Sequence, residues 1–118
     1  MTDPTVTVFH NPACGTSRKT IDLLRERGIE PTVVEYLKAG WTKPQLKTLL
    51  TTMGASARDI LRERGTDAEA LGLTSPDTAE DAILEAMVRD PILVNRPIVV
   101  TPRGAALCRP QEKVLDLL

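Results

Sequence analysis

Cys14 stands in the segment HNPACGTSR, residues 10–18, between TVTVF and KTIDLLRERG. The β-branched and aromatic run predicts a strand and the periodic run predicts a helix, so the cysteine falls at a strand-to-helix joint. The first turn of a helix offers unpaired backbone N–H groups and the positive end of the helix dipole. A thiolate placed there is stabilised, and its pKa can fall well below the free value of about 8.5. Arg18 and Lys19 follow closely and His10 precedes, which adds positive or ionisable neighbours. Gly15 and the polar residues around it argue against Cys14 as a small, dry core residue. The expected chemistry is nucleophilic attack by sulfur.

Ser17 occupies the place that a second thiol would take in a CxxC redox pair. A serine cannot form a disulfide. It can donate to the thiolate or cap the helix, and the sequence leaves both roles open. Cys14 therefore has no local resolving partner, and its oxidation must be completed by Cys108, by a small thiol or by another protein. A phosphatase-type loop is excluded, because position 20 holds Thr20 where that loop needs arginine.

Arginine recurs beside structural punctuation, as Arg58 and Arg62 in SARDILRERG, Arg96 in NRPIVV and Arg109 in CRP. A guanidinium is a planar fork of five donors that suits tetrahedral oxyanions, and several of them near a helix N-terminus make an anion pocket. Arg58, Arg64 and Arg103 read as solvated surface charges. Arg96 and Arg109 each lie at the edge of a terminal hairpin and directly precede a proline.

The elements that must position these residues follow from periodicity. A strand is predicted over 5–9, a helix over about 16–27 with Thr16 or Ser17 as its cap and Gly28 as its stop, and a strand over 32–36. This order implies a parallel βαβ unit. Leu46, Leu49, Leu50 and Met53 recur at helical spacing after Pro44. A short helix capped by Ser56 carries Ile60 and Leu61, residues 67–71 form a weak helical turn, and Thr78–Asp90 is helical again. Residues 41–90 are expected to be nearly all helix, as an insert within a single domain spanning 1–118. Ile98–Val100 and Ala105–Cys108 are expected to form a hairpin about the turn Thr101–Gly104, and a last amphipathic helix follows Arg109-Pro110.

Composition bounds the classes of function. There are 118 residues, enough for one domain with its own core, with 15 Lys plus Arg against 16 Asp plus Glu. That balance gives no footprint for nucleic-acid binding. No apolar run is long enough to span a membrane, and MTDPTVTVF lacks the features of a leader, so a cytoplasmic address is expected. Two distant cysteines and one histidine match no structural-zinc spacing, and no phosphate loop or dinucleotide fingerprint is present. No metal and no tightly bound organic cofactor is expected, and a monomer is the default.

Taken together and in order, HNPACGTSR, LRERG and NRPIVVTPRGAALCRP resemble the glutaredoxin-linked arsenate reductases of the thioredoxin superfamily. The resemblance covers almost the whole chain. It implies an α/β, thioredoxin-like fold with a small mixed sheet, flanking helices and an inserted helical subdomain. It implies Cys14 as nucleophile with His10 and Ser17 in the catalytic motif, and Arg62, Arg96 and Arg109 as oxyanion-binding residues. Pro97 would be the cis-proline of the fold, and Cys108 would not be the resolving thiol. The implied substrate is arsenate. The implied co-substrate is glutathione or another low-molecular-weight thiol, and a glutaredoxin-like protein would be the reductant. Two other functions are compatible with part of this pattern: a general glutathione-dependent thiol–disulfide oxidoreductase, and a regulator of similar fold that binds RNA polymerase.

Overall fold

A computed structural model of the chain describes residues 2–118. Strand β1 (Asp3–His10) leads through the Cys14 loop into helix α1 (Gly15–Glu26), and β2 (Pro31–Glu35) follows. The single helical turn α2 (Tyr36–Ala39) ends this half. Helices α3 (Lys43–Met53) and α4 (Glu80–Arg89) come next, and the chain closes with β3 (Ile98–Thr101), β4 (Gly104–Leu107) and a 3₁₀ segment, Gln111–Leu117. The chain divides into two compact units, Met1–Ala39 with Arg96–Leu118, and Gly40–Asn95.

The first unit holds a four-stranded sheet in the order β2-β1-β3-β4. β1 runs parallel to β2, with Val8 opposite Val33 and His10 opposite Glu35. It runs antiparallel to β3, with Phe9 opposite Ile98, and β3 is antiparallel to β4, with Ile98 opposite Leu107. The sheet is thus mixed, and the α/β, thioredoxin-like class read from the sequence holds. Its core joins Val6, Val8 and Val99 of the sheet to Ile21 and Leu24 of α1, with Cys108, Val114 and Leu117 from the C-terminal segment. A fully buried leucine such as Leu24 stabilises this core by about 2–5 kcal/mol relative to alanine. The last segment is a 3₁₀ helix rather than an α-helix; it packs against α1 and β4.

Strand directions set the position of the functional loops. The C-terminal end of β1 lies beside the start of β3, because the two are antiparallel. The end of β4 lies there too, because β4 reverses β3. One end of the sheet therefore gathers the Cys14 loop, Arg96-Pro97 and Arg109-Pro110. Both X–Pro bonds, Arg96–Pro97 and Arg109–Pro110, are cis.

In the second unit, Thr42 caps α3: its hydroxyl accepts the Gln45 N–H at 3.2 Å, and the Gln45 side chain reaches back to the Thr42 N–H. Gly54 ends α3 at φ 65°, a left-handed position that glycine occupies at little cost. α4 packs on α3 and on two 3₁₀ turns, Ala57–Ile60 and Pro91–Leu93. The expectation of near-continuous helix needs correction here. Residues 61–79 are turns, apart from a bridge between Leu61 and Val94, and the unit extends past residue 90 to Asn95. The apolar residues of this stretch are too widely spaced for a helical stripe, and Gly65, Gly72 and Pro76 interrupt it. Arg58 is not simply solvated: it donates to the Ser75 and Thr78 carbonyls at 2.9 and 2.8 Å and pins these turns. Among the described residues, no helix is long and apolar enough to cross a membrane.

Candidate active site

Cys14 is the N-cap of α1, with extended backbone at φ −94° and ψ 121°. The cap therefore lies two to three residues earlier than Thr16 or Ser17. The Cys14 carbonyl accepts the first helical bond from the Arg18 N–H at 3.0 Å, while its own N–H donates to the Asn11 carbonyl at 3.0 Å. No side chain caps the first turn, which leaves its N–H groups available to the thiol.

Asn11 organises the loop. Its side-chain Oδ1 accepts the Ala13 N–H at 2.9 Å, and its backbone N–H donates to Ser17 Oγ at 3.1 Å. The sequence reading gave Asn11 only the role of strand breaker. The signal that could have found it is an Asn before Pro at a turn, where the short amide bonds its own backbone two residues on. Ser17 is fully buried, and His10 Nδ1 lies 2.6 Å from its Oγ. The Ser17 hydroxyl is thus engaged by His10 and Asn11, and it is the Ser17 backbone N–H that bonds the Cys14 sulfur.

Arg109 reaches the sulfur across 95 positions of sequence: its Nη1 lies 3.6 Å from Cys14 Sγ and 2.9 Å from the Arg96 carbonyl, to which it donates. Arg96 also hydrogen-bonds the sulfur through its side chain. Burial of Cys14 pushes its thiol up. The Ser17 N–H, Arg96 and Arg109 outweigh that and bring it down to about 7. Burial also lowers the pKa of His10; Glu35 acts against this shift, and Arg18 and Arg25 act with it. Cys108 is fully buried, and burial pushes its thiol up to about 12. The two cysteines therefore differ in kind: the Cys14 thiol can ionise near neutral pH, and Cys108 behaves as a core residue.

The fold thus gathers His10, Cys14, Ser17, Arg96 and Arg109 at one end of the sheet, with Pro97 in the same connection. Arg62 belongs to the other unit. There it donates from Nη1 to Asn95 Oδ1 at 3.2 Å and from Nε to the Arg64 carbonyl at 3.1 Å. Among the described residues, no cluster of three or more His, Cys, Asp or Glu side chains could hold a metal ion.

The ArsC family pattern matches residues 9–117. The chain is 51% identical over 114 residues to an arsenate reductase of Rhizobium meliloti, covering 97% of this chain and 81% of that protein. It is 47% identical over 113 residues to an arsenate reductase of Escherichia coli K12, covering 96% and 80%. A solved structure described as an arsenate reductase from Vibrio cholerae superposes with a TM-score of 0.91 at 36% identity, covering 98% of this chain and all of that one. A match that runs from the last residues of β1 to the end of the 3₁₀ segment includes every element that shapes the Cys14 loop, and the chain belongs to the ArsC family.

Proposed function

We propose that this protein reduces arsenate to arsenite through a covalent Cys14–arsenic adduct, with an external thiol as the source of electrons. The observation that carries the reading is Arg109 Nη1 at 3.6 Å from a Cys14 sulfur whose pKa is brought down to about 7. A thiolate is then abundant at neutral pH, and a guanidinium beside it can hold a tetrahedral oxyanion against the nucleophile. In this reading Arg96 and Arg109 share the charge of bound arsenate, and the same role for Arg62 rests on the sequence resemblance alone. His10 and Ser17 hold the loop that presents the sulfur.

The Cys14 thiolate attacks arsenic, an S–As bond forms, and hydroxide leaves as water after protonation. A thiolate from a small thiol such as glutathione then attacks the Cys14 sulfur. An S–S bond forms while the S–As bond breaks, and its electron pair stays on arsenic, which departs in the +3 state as arsenite. The mixed disulfide left on Cys14 is reduced by thiol exchange with a glutaredoxin-like protein, which takes up the glutathione sulfur and releases the thiolate. Cys108 takes no part. The reading further takes residues 1–118 as one catalytic domain with a helical insert, acting as a monomer in the cytoplasm without a tightly bound cofactor.

General thiol–disulfide exchange would also use Cys14, but it leaves the arginine pair at its sulfur without a task. Binding to RNA polymerase would need neither. The experiment that separates them incubates the protein with arsenate, glutathione, glutaredoxin and its NADPH-dependent reducing system, and follows NADPH and arsenite together. Wild type should produce arsenite, and Cys14→Ser should produce none while keeping its circular dichroism spectrum. Arsenite formed by Cys14→Ser above background would sink the covalent scheme.

A further inference from the structure

A cleft of about 470 Å³ opens on the β2 side of the Cys14 loop, walled by His10 and Pro12, by Arg18 and Asp22 of α1, and by Val33 and Glu35 of β2. Its volume lies within the roughly 300–1,000 Å³ of small-molecule sites. No step of the mechanism so far has used it.

The strand order gives this cleft a chemical position. β1 lies between β2 and β3, so the arginine pair approaches Cys14 from the β3–β4 side and the cleft lies on the opposite flank. Displacement at sulfur is in line: the entering thiolate must approach from the side away from the bond that breaks. With arsenic held on the Arg96 and Arg109 side, a reductant arriving from the β2 side meets that requirement. The cleft and the loop are also physically joined. His10 lines the cleft, and its Nδ1 lies 2.6 Å from Ser17 Oγ. Arg18 Nη1 donates to the Pro12 carbonyl at 2.8 Å, and its Nη2 lies 3.8 Å from where a Gly15 Cβ would sit.

The lining is amphoteric. Arg25, further along the same wall, is held by Glu30 at 3.0 Å, whereas Arg18 makes no ion pair among the described residues. Glu35 and Asp22 supply negative charge, and Val33 supplies an exposed apolar surface. One cation with unused donors, two carboxylates and an apolar patch fit a small peptide with a carboxylate at one end and an ammonium at the other. We infer that this cleft is the entry site of the thiol co-substrate, a small peptide thiol that carries both carboxylate and ammonium groups, with Arg18 receiving its carboxylate. The inference rests on the arsenate-reduction reading for its chemistry, but binding itself can be tested without arsenate.

The test titrates ¹⁵N-labelled wild-type protein with S-methylglutathione, which cannot exchange. Amide shifts should centre on His10, Arg18, Val33 and Glu35. Arg18→Glu should weaken binding about tenfold or more, as expected for losing a charge-assisted contact and gaining a repulsion. Val33→Trp, at an exposed strand position that accepts an aromatic residue, should block the cleft by bulk and weaken binding comparably. In turnover, both variants should raise the KM for glutathione while the KM for arsenate stays at its wild-type value. Shifts confined to Arg96, Ile98 and Arg109, an absence of shifts at saturating ligand, or wild-type glutathione KM values in both variants would overturn the assignment. Failure of wild type to make arsenite while S-methylglutathione still binds the cleft would count against the reductase reading and not against the site.

Discussion

Replacing Arg109 with alanine removes the guanidinium whose Nη1 lies 3.6 Å from Cys14 Sγ. The Cys14 thiol is brought to about 7 against its burial by the Ser17 N–H, Arg96 and Arg109. Near pH 7 about half of Cys14 is therefore thiolate. A hydrogen bond to a charged group contributes about 1.5–3 kcal/mol, and partial access of water to the site favours the lower figure. One pKa unit corresponds to about 1.4 kcal/mol, so Arg109→Ala should move the midpoint up by about one unit, to near 8. The thiolate fraction at neutral pH would then drop to about a tenth. Thiolate ultraviolet absorbance against pH measures this directly. Cys108 does not interfere, because its thiol is pushed up to about 12. Alkylation by iodoacetamide provides a second assay. Its rate should rise with pH through the same midpoint, because only the ionised form reacts. A thiolate of higher pKa is intrinsically more nucleophilic, with a Brønsted slope of about 0.4–0.5, so the alkylation rate at pH 6 should fall only about threefold although the thiolate population falls nearly tenfold. A midpoint that stays near 7 in Arg109→Ala would refute the assignment of Arg109 as an electrostatic partner of the sulfur.

Two further substitutions test other parts of the site. Ser17→Ala leaves the buried Asn11 N–H without its acceptor and His10 without its 2.6 Å partner, so it should cost about 1–3 kcal/mol in urea unfolding. It should leave the Cys14 midpoint within a few tenths of a unit, because the Ser17 backbone N–H rather than its hydroxyl bonds the sulfur. Cys108→Ala should keep arsenate turnover near the wild-type value and lower stability by about 1 kcal/mol, since it removes only a fully buried thiol group. Loss of turnover in that variant, at unchanged far-ultraviolet circular dichroism, would restore Cys108 as a resolving thiol.

The sheet elements were legible because their signals are local. TVTVF is four consecutive β-branched residues followed by an aromatic one, the α1 run has its apolar residues at helical spacing, and Gly28 stops it. Gly54 ending α3 could be placed for the same reason. The helical turn expected over 67–71 is present, with the Leu71 N–H on the Asp67 carbonyl at 2.9 Å, but the near-continuous helix around it is not: local signals are weak there, and the contacts that decide, such as Arg58 with the Ser75 and Thr78 carbonyls, span 17 and 20 positions. Ser17 was ambiguous between a cap and a donor to sulfur. Neither describes its hydroxyl, because its partners lie at and just after the end of β1, His10 and the Asn11 N–H, and only the turn at Asn11 brings them within reach.

From the sequence alone followed the candidacy of Cys14 as nucleophile, its placement at a strand-to-helix joint and the candidacy of Arg96 and Arg109, since each depends on residue type and near neighbours. Tertiary structure alone decided which cation touches the sulfur. β3 is antiparallel to β1, and β4 to β3, so chain positions 14, 96 and 109 meet at one end of a sheet. It also decided that Cys14 can ionise near neutral pH and Cys108 cannot. The two thiols are identical in covalent chemistry, and both are buried; the difference is that the fold aims donors at one and surrounds the other with core.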